Sequence, residues 1–129
     1  MKFNTAIISL SALFMASVTT AAMTDDPKKI DTCVMPGVVA WTFDDGPGPY
    51  NQQLLDILKK KEVKVTFYML GQMIDQDVGQ AASLKKILEH GHMLASHTYS
   101  HNNLDKMTVD EMKKEISTTA ETMFKHSGV

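Results

Sequence analysis

The chain has 129 residues, of which 43% are hydrophobic and 22% charged, and a formal net charge of −2. That composition fits one globular unit and excludes a disordered or collagen-like polymer, and the charge balance gives no sign of nucleic-acid binding. The thirteen basic residues are all lysines, so the chain contains no arginine.

The first segment, "MKFNTAIISLSALFMASVTTAA", has Lys2 near its start, an apolar run from Ala6 to Ala16, and small residues behind it. This is expected to be a secretory signal peptide, residues 1–22. The run is shorter than the ~20 apolar residues that span a bilayer, and no later stretch replaces it. The expectation is therefore a chain without a membrane anchor, placed outside the cell or at the cell wall. A lead segment, 23–36, contains the only cysteine, Cys33. In an oxidising setting one thiol implies a partner in another chain, a missing partner in this one, or an inert buried group.

In the remaining chain "GVVAWTF" (37–43) is β-branched and aromatic, which predicts a strand ending near Phe43, with "DDGPGPY" as a loop. "NQQLLDILKKK" predicts a short amphipathic helix, with Leu54 and Leu58 on one face, Leu55 close behind, and lysines complementing its C-terminus. "VKVTFYML" predicts a second strand, apolar enough after Thr66 to be covered on both faces and closed by Gly71. "AASLKKILEH" predicts a helix stopped by Gly91, and "HMLAS" a third strand. Thr108 to Glu111 fits a capping box, so a long helix should follow, with Met112, Ile116, Ala120 and Met123 on its apolar face. Strand and helix alternate three times. Such alternation builds right-handed crossovers and a parallel sheet whose functional residues gather at the C-terminal strand ends. Three strands cannot close a barrel.

Asp44, Asp45 and His97 all sit at such ends. Consecutive residues leaving a strand can face different partners, so one carboxylate can bind a cation while the other takes a proton. Asp-Asp-Gly-Pro can equally be a solvated turn. In "SHTYSH", His97 and His101 are four apart, which on a helix or tight helical turn puts both imidazoles on one side. A pair of surface histidines would read the same. Two histidines and a carboxylate suit zinc and related divalent ions, and Asp45, His97 and His101 supply that set. His90, at a helix end, and His92, at a strand start, are expected to be structural, and His126 to meet a helix dipole.

Together "TFDDGP" (42–47) and "SHTYSH" (96–101) resemble the first two motifs of the polysaccharide deacetylases with a NodB-like domain (carbohydrate esterase family 4). The intervening "LLDILKKKEVKVTFYMLG" and "ILEHGHMLASH" also look like that family. The wording around "CVMPGVVAWTFDDGPGPY" is most similar to secreted fungal chitin deacetylases. The resemblance covers roughly residues 33 to 125. It implies an α/β fold, the N-terminal part of a deformed (β/α) barrel, with residues 37–129 forming a partial domain. It implies Asp44 as general base and Asp45, His97 and His101 as ligands of a zinc or cobalt-like divalent ion. The implied reaction is hydrolysis of N-acetyl groups on chitin or related N-acetylglucosamine oligomers. The family's third motif, with an arginine followed by a proline, and its later aspartate and acid histidine find no counterpart here. Relatives also often pair a cysteine near position 33 with one in that later part. The chain is accordingly expected to be a C-terminally truncated family member, or else an inactive chitin-binding or metal-binding remnant.

Overall fold

The computed structural model describes residues 32–128. The expected leader, 1–22, and the lead segment before Thr32 lie outside the described residues. From Thr42 onward the elements follow in order: β1 (Thr42–Gly46), α1 (Asn51–Lys60), β2 (Thr66–Met69), α2 (Gly71–Gln76), α3 (Val78–Glu89), β3 (Met93–Ser96), a 3₁₀ turn (Leu104–Lys106) and α4 (Val109–Ser127). The three strands form one parallel sheet in the order β1-β2-β3. The expected strand and helix alternation is present, with α2 as an addition. No helix among the described residues is long and apolar enough to cross a membrane.

The first strand begins later than its residues suggest and includes both aspartates. Thr42 pairs with Thr66 and Phe43 with Phe67, so β1 can start only where β2 offers a partner. Upstream, Gly37 turns with a φ of +78°, and Val39 and Trp41 stay exposed. Backbone groups without a neighbouring strand gain no ladder bonds, whatever the β-propensity of their side chains.

Among the described residues one face of the sheet is fully covered and the other only in part, where full coverage of both was expected. Phe67 and Met69 of β2 are fully buried, while Thr66 and Tyr68 are half-buried. Helices α1 and α3 close the buried face with Leu55, Leu58, Ala81, Leu84 and Ile87, and Ile74 of α2 joins them. Each large apolar side chain buried there contributes about 1.5–3 kcal/mol. Trp41, Phe43 and Phe67 stack in series, with centroids 5.7 and 5.6 Å apart. Helix α3 stops as expected at Gly91, whose φ of +74° favours glycine.

Helix α4 starts with the expected capping box: Glu111 N–H donates to Thr108 Oγ1 (3.3 Å) and Thr108 N–H to Glu111 Oε2 (2.7 Å). Its docking face differs from the expected one. Thr119 and Thr122 are buried, Met112 and Met123 are half-buried, and Ile116 and Ala120 are exposed. The cause is close approach to α2. A β-carbon on Gly71 would lie 3.2 Å from Thr119 Oγ1, so a small residue is needed where the two helices cross. Thr119 satisfies its buried hydroxyl by donating to the Glu115 carbonyl, 2.7 Å away.

Candidate active site

The pairing of β1 with β2 slips between Phe43 and Gly46, which is opposite Met69. Two residues, Asp44 and Asp45, therefore stand against the single Tyr68, a β-bulge. Bulges re-aim side chains at strand ends. Asp45 also takes a φ of +64°, a left-handed conformation that aspartate tolerates better than most residues. The two carboxylates diverge through this bulge rather than through regular strand alternation. Both residues are exposed, and among the described residues the Asp44 side chain makes no hydrogen bond or ion pair.

The histidines come from the segment after β3. His97 N–H donates to the Met69 carbonyl (2.9 Å), extending the parallel ladder by one step. Beyond it the chain is not helical, contrary to the expected helical turn. Thr98 and His101 have φ values of +69° and +60°, and His101 N–H donates to Thr98 Oγ1 at 3.2 Å. This tight reversal, rather than helical periodicity, returns the second imidazole to the first. The ring centroids are 5.0 Å apart. Three of the four non-glycine residues with positive φ among those described, Asp45, Thr98 and His101, belong to this site. Such conformations cost about 1–3 kcal/mol each and persist only where surrounding bonds impose them.

Asp45 Oδ1 lies 3.2 Å from His97 Nε2 and 3.3 Å from His101 Nε2. Each donor atom of the trio lies within 4.8 Å of the others. Lone pairs of a carboxylate and two neutral imidazoles repel at such separations unless a proton or a cation lies between them. Zinc–ligand bonds of about 2.0–2.1 Å in a tetrahedron place donor atoms roughly 3.4 Å apart. The observed separations, together with the nitrogen and oxygen donor set, fit a divalent ion of that kind.

The remaining histidines stand elsewhere. His92 is 5% exposed and accepts a bond from Val65 N–H at its Nδ1 (3.4 Å). Burial, and then the charges of Lys64 and His90, push its imidazole below the ordinary value. His90 caps the end of α3. His126 lies in the last turn of α4, where its Nε2 also comes within 3.7 Å of Asp75 Oδ1. Cys33 is an exposed free thiol.

Two residues support the site in roles that the sequence does not signal. Glu115 of α4 accepts from Tyr99 N–H (2.9 Å), Ser100 N–H (2.8 Å) and the Ser100 hydroxyl (2.9 Å). Burial pushes the Glu115 carboxyl up, but the bonds from Ser100 and Tyr99 outweigh that and hold it below its usual range. Gly71 opens α2 against the same loop: its N–H donates to the Thr98 carbonyl (3.1 Å), and a β-carbon there would lie 2.4 Å from the Tyr99 ring.

The model of the polysaccharide deacetylase family matches residues 31–129. The chain belongs to this family. A chitin deacetylase of Arthroderma benhamiae is 42% identical over 89 residues, which are 66% of this chain and 24% of that one. A peptidoglycan-N-acetylglucosamine deacetylase of Bacillus cereus is 40% identical over 91 residues, covering 70% of this chain and 32% of that one. Among solved structures, the chitin deacetylase of the fungal pathogen Colletotrichum lindemuthianum superposes with a TM-score of 0.73 at 32% identity, over 77% of this chain and 45% of that one. The fold is thus part of the α/β barrel domain of the family. The chain spans about a quarter of the first of these curated relatives and about a third of the second.

Proposed function

We propose that this chain carries the base and the metal ligands of a deacetylase acting on chitin or a related N-acetylglucosamine polymer. The observation that carries the reading is the convergence of Asp45, His97 and His101 beside a second carboxylate, Asp44, at the C-terminal edge of the sheet. Relatives named as chitin and as peptidoglycan-N-acetylglucosamine deacetylases share one chemistry, an acetamide on glucosamine.

When bound, a divalent ion held by Asp45, His97 and His101, zinc suiting this donor set, would polarise the acetamide carbonyl and acidify a nearby water. Asp44 is the general base. Exposed and uncommitted to an ion pair among the described residues, its carboxylate can take the proton as water adds to the carbonyl carbon. The carbon–nitrogen bond then breaks, the amine nitrogen takes a proton, and glucosamine and acetate leave. Among the described residues none beyond Asp44 is assigned to protonate the amine. The leader, 1–22, directs the chain out of the cell, where such polymers lie.

Acetate release from N-acetylglucosamine oligomers tests this, measured on the 129-residue chain and on the chain extended by any downstream coding sequence. Release by the extended protein that stops with a chelator and with Asp45→Ala supports the reading. Release that survives Asp45→Ala overturns it. Chitin binding without turnover in both forms would favour a non-catalytic binding module instead.

A further inference from the structure

The loop between the two histidines is tied down along its backbone, and the ties come from helices rather than from the site. On one side, Gly71 N–H and Gln72 N–H at the start of α2 donate to the carbonyls of Thr98 (3.1 Å) and Tyr99 (2.9 Å). On the other, the Glu115 carboxylate collects the N–H groups of Tyr99 and Ser100 on Oε2 and the Ser100 hydroxyl on Oε1. The Tyr99 hydroxyl adds a bond to Asp75 Oδ2 (3.2 Å), which also accepts from Thr122 of α4 (3.3 Å). Two residues of this loop, Thr98 and His101, hold left-handed backbones that are not glycine's. Without bonds that impose them, those conformations relax and the imidazoles separate.

We infer that Glu115 is a positioning residue for the metal ligands: its two-oxygen clamp on Tyr99 and Ser100 holds His97 and His101 in ligating geometry without touching either ring. The inference deepens the proposed function and rests on the metal site assigned there. A carboxylate suits the task because one oxygen can accept two backbone N–H groups while the other takes the hydroxyl, and charge-assisted bonds of this kind are about twice as strong as neutral ones. Partners that orient metal ligands typically change metal affinity about 10- to 100-fold when removed.

The test is zinc affinity of the full chain, by competition with a chromophoric chelator, together with the visible absorption of the cobalt-loaded protein as a reading of ligand geometry. Glu115→Ala should bind zinc about 10- to 100-fold more weakly and shift the cobalt bands. Glu115→Gln keeps an oxygen for the two N–H groups and an amide facing Ser100 but loses the charge, and should recover part of the loss. Ser100→Ala, which removes one bond and leaves α4 intact, should show the same change in smaller measure even if Glu115→Ala does not fold. Leu58→Ala, a core truncation in α1, should lower stability without moving affinity or spectrum. Equal affinity in the parent chain, Glu115→Ala and Ser100→Ala overturns the inference, as does a loss in Leu58→Ala matching that in Glu115→Ala. Failure of a different kind, in which the parent chain binds no zinc or Asp45→Ala binds it equally well, overturns the metal site itself and the inference with it.

Discussion

Asp45 and His97 meet over the end of a strand that belongs to neither: Asp45 lies on β1, His97 follows β3, and β2 runs between them. Flanking strands in a sheet lie roughly 10 Å apart, about twice the spacing of neighbours. The contact of 3.2 Å between Oδ1 and Nε2 therefore needs both side chains to lean inward. The bulge and left-handed backbone at Asp45 supply one lean, and the ladder bond from His97 N–H to Met69 the other.

A cation at that meeting point should stabilise the fold. Because the ligands come from separate parts of the chain, the unfolded state offers no comparable site. Zinc at a hundredfold excess over its dissociation constant should raise the unfolding free energy by about 2.7 kcal/mol, and a chelator should remove the gain. Asp45→Ala should unfold at the same denaturant concentration with and without zinc. A zinc-dependent midpoint that persists in Asp45→Ala would place the ion elsewhere.

Asp44 should separate from Asp45 in the same experiments. Asp44→Asn keeps the three ligands and should retain zinc affinity. In a protein that releases acetate, losing the base should lower kcat by about 10² to 10⁴. Loss of zinc binding in Asp44→Asn would make it a ligand and remove its assigned role.

The candidate ligands were legible because chemistry restricts them: carboxylate and imidazole at the C-terminal ends of strands in one sheet are few, and the parallel sheet gathers those ends on one side. The way they meet was not legible. A bulge depends on the register with β2, and "TFDDG" reads alike with or without it. Glu115 looks like any other solvated glutamate on α4, since its role comes from a loop folded back against the helix. The docking face of α4 departs from the sequence pattern for a related reason. Helical periodicity marks the apolar stripe of Met112, Ile116, Ala120 and Met123, but the glycine at 71 brings α2 so near that threonines make the contact. Helix α2 itself is six residues long, too short for periodicity to show.

Gly71→Ala tests how tightly that contact supports the loop. The added methyl would stand 2.4 Å from the Tyr99 ring and 3.2 Å from Thr119 Oγ1, so the ring must move. Overpacking of this sort costs about 1–3 kcal/mol. Displacement of Tyr99 should also loosen the bonds on either side of it, so zinc affinity should fall together with the urea midpoint. An unchanged midpoint in Gly71→Ala would show that the loop stands clear of α2 in solution.

Stability should fall with mild acidity through His92. Its imidazole is held below its ordinary value of 6.5 by burial first, then by Lys64 and His90, so the folded state binds the proton more weakly than the unfolded state. As pH falls below 6.5 the unfolded chain takes up the proton first, and the folding equilibrium shifts toward it. The contribution of neutral His92 is therefore complete above that value and is lost progressively as pH drops toward the lowered folded value. His92→Asn isolates this contribution: its side-chain oxygen can accept the Val65 N–H in place of Nδ1, and it carries no titrating group. Urea midpoints measured between about pH 7 and pH 5 should decline less steeply in His92→Asn than in the parent chain. Parallel curves would mean that His92 protonates as easily in the folded chain as in the unfolded one.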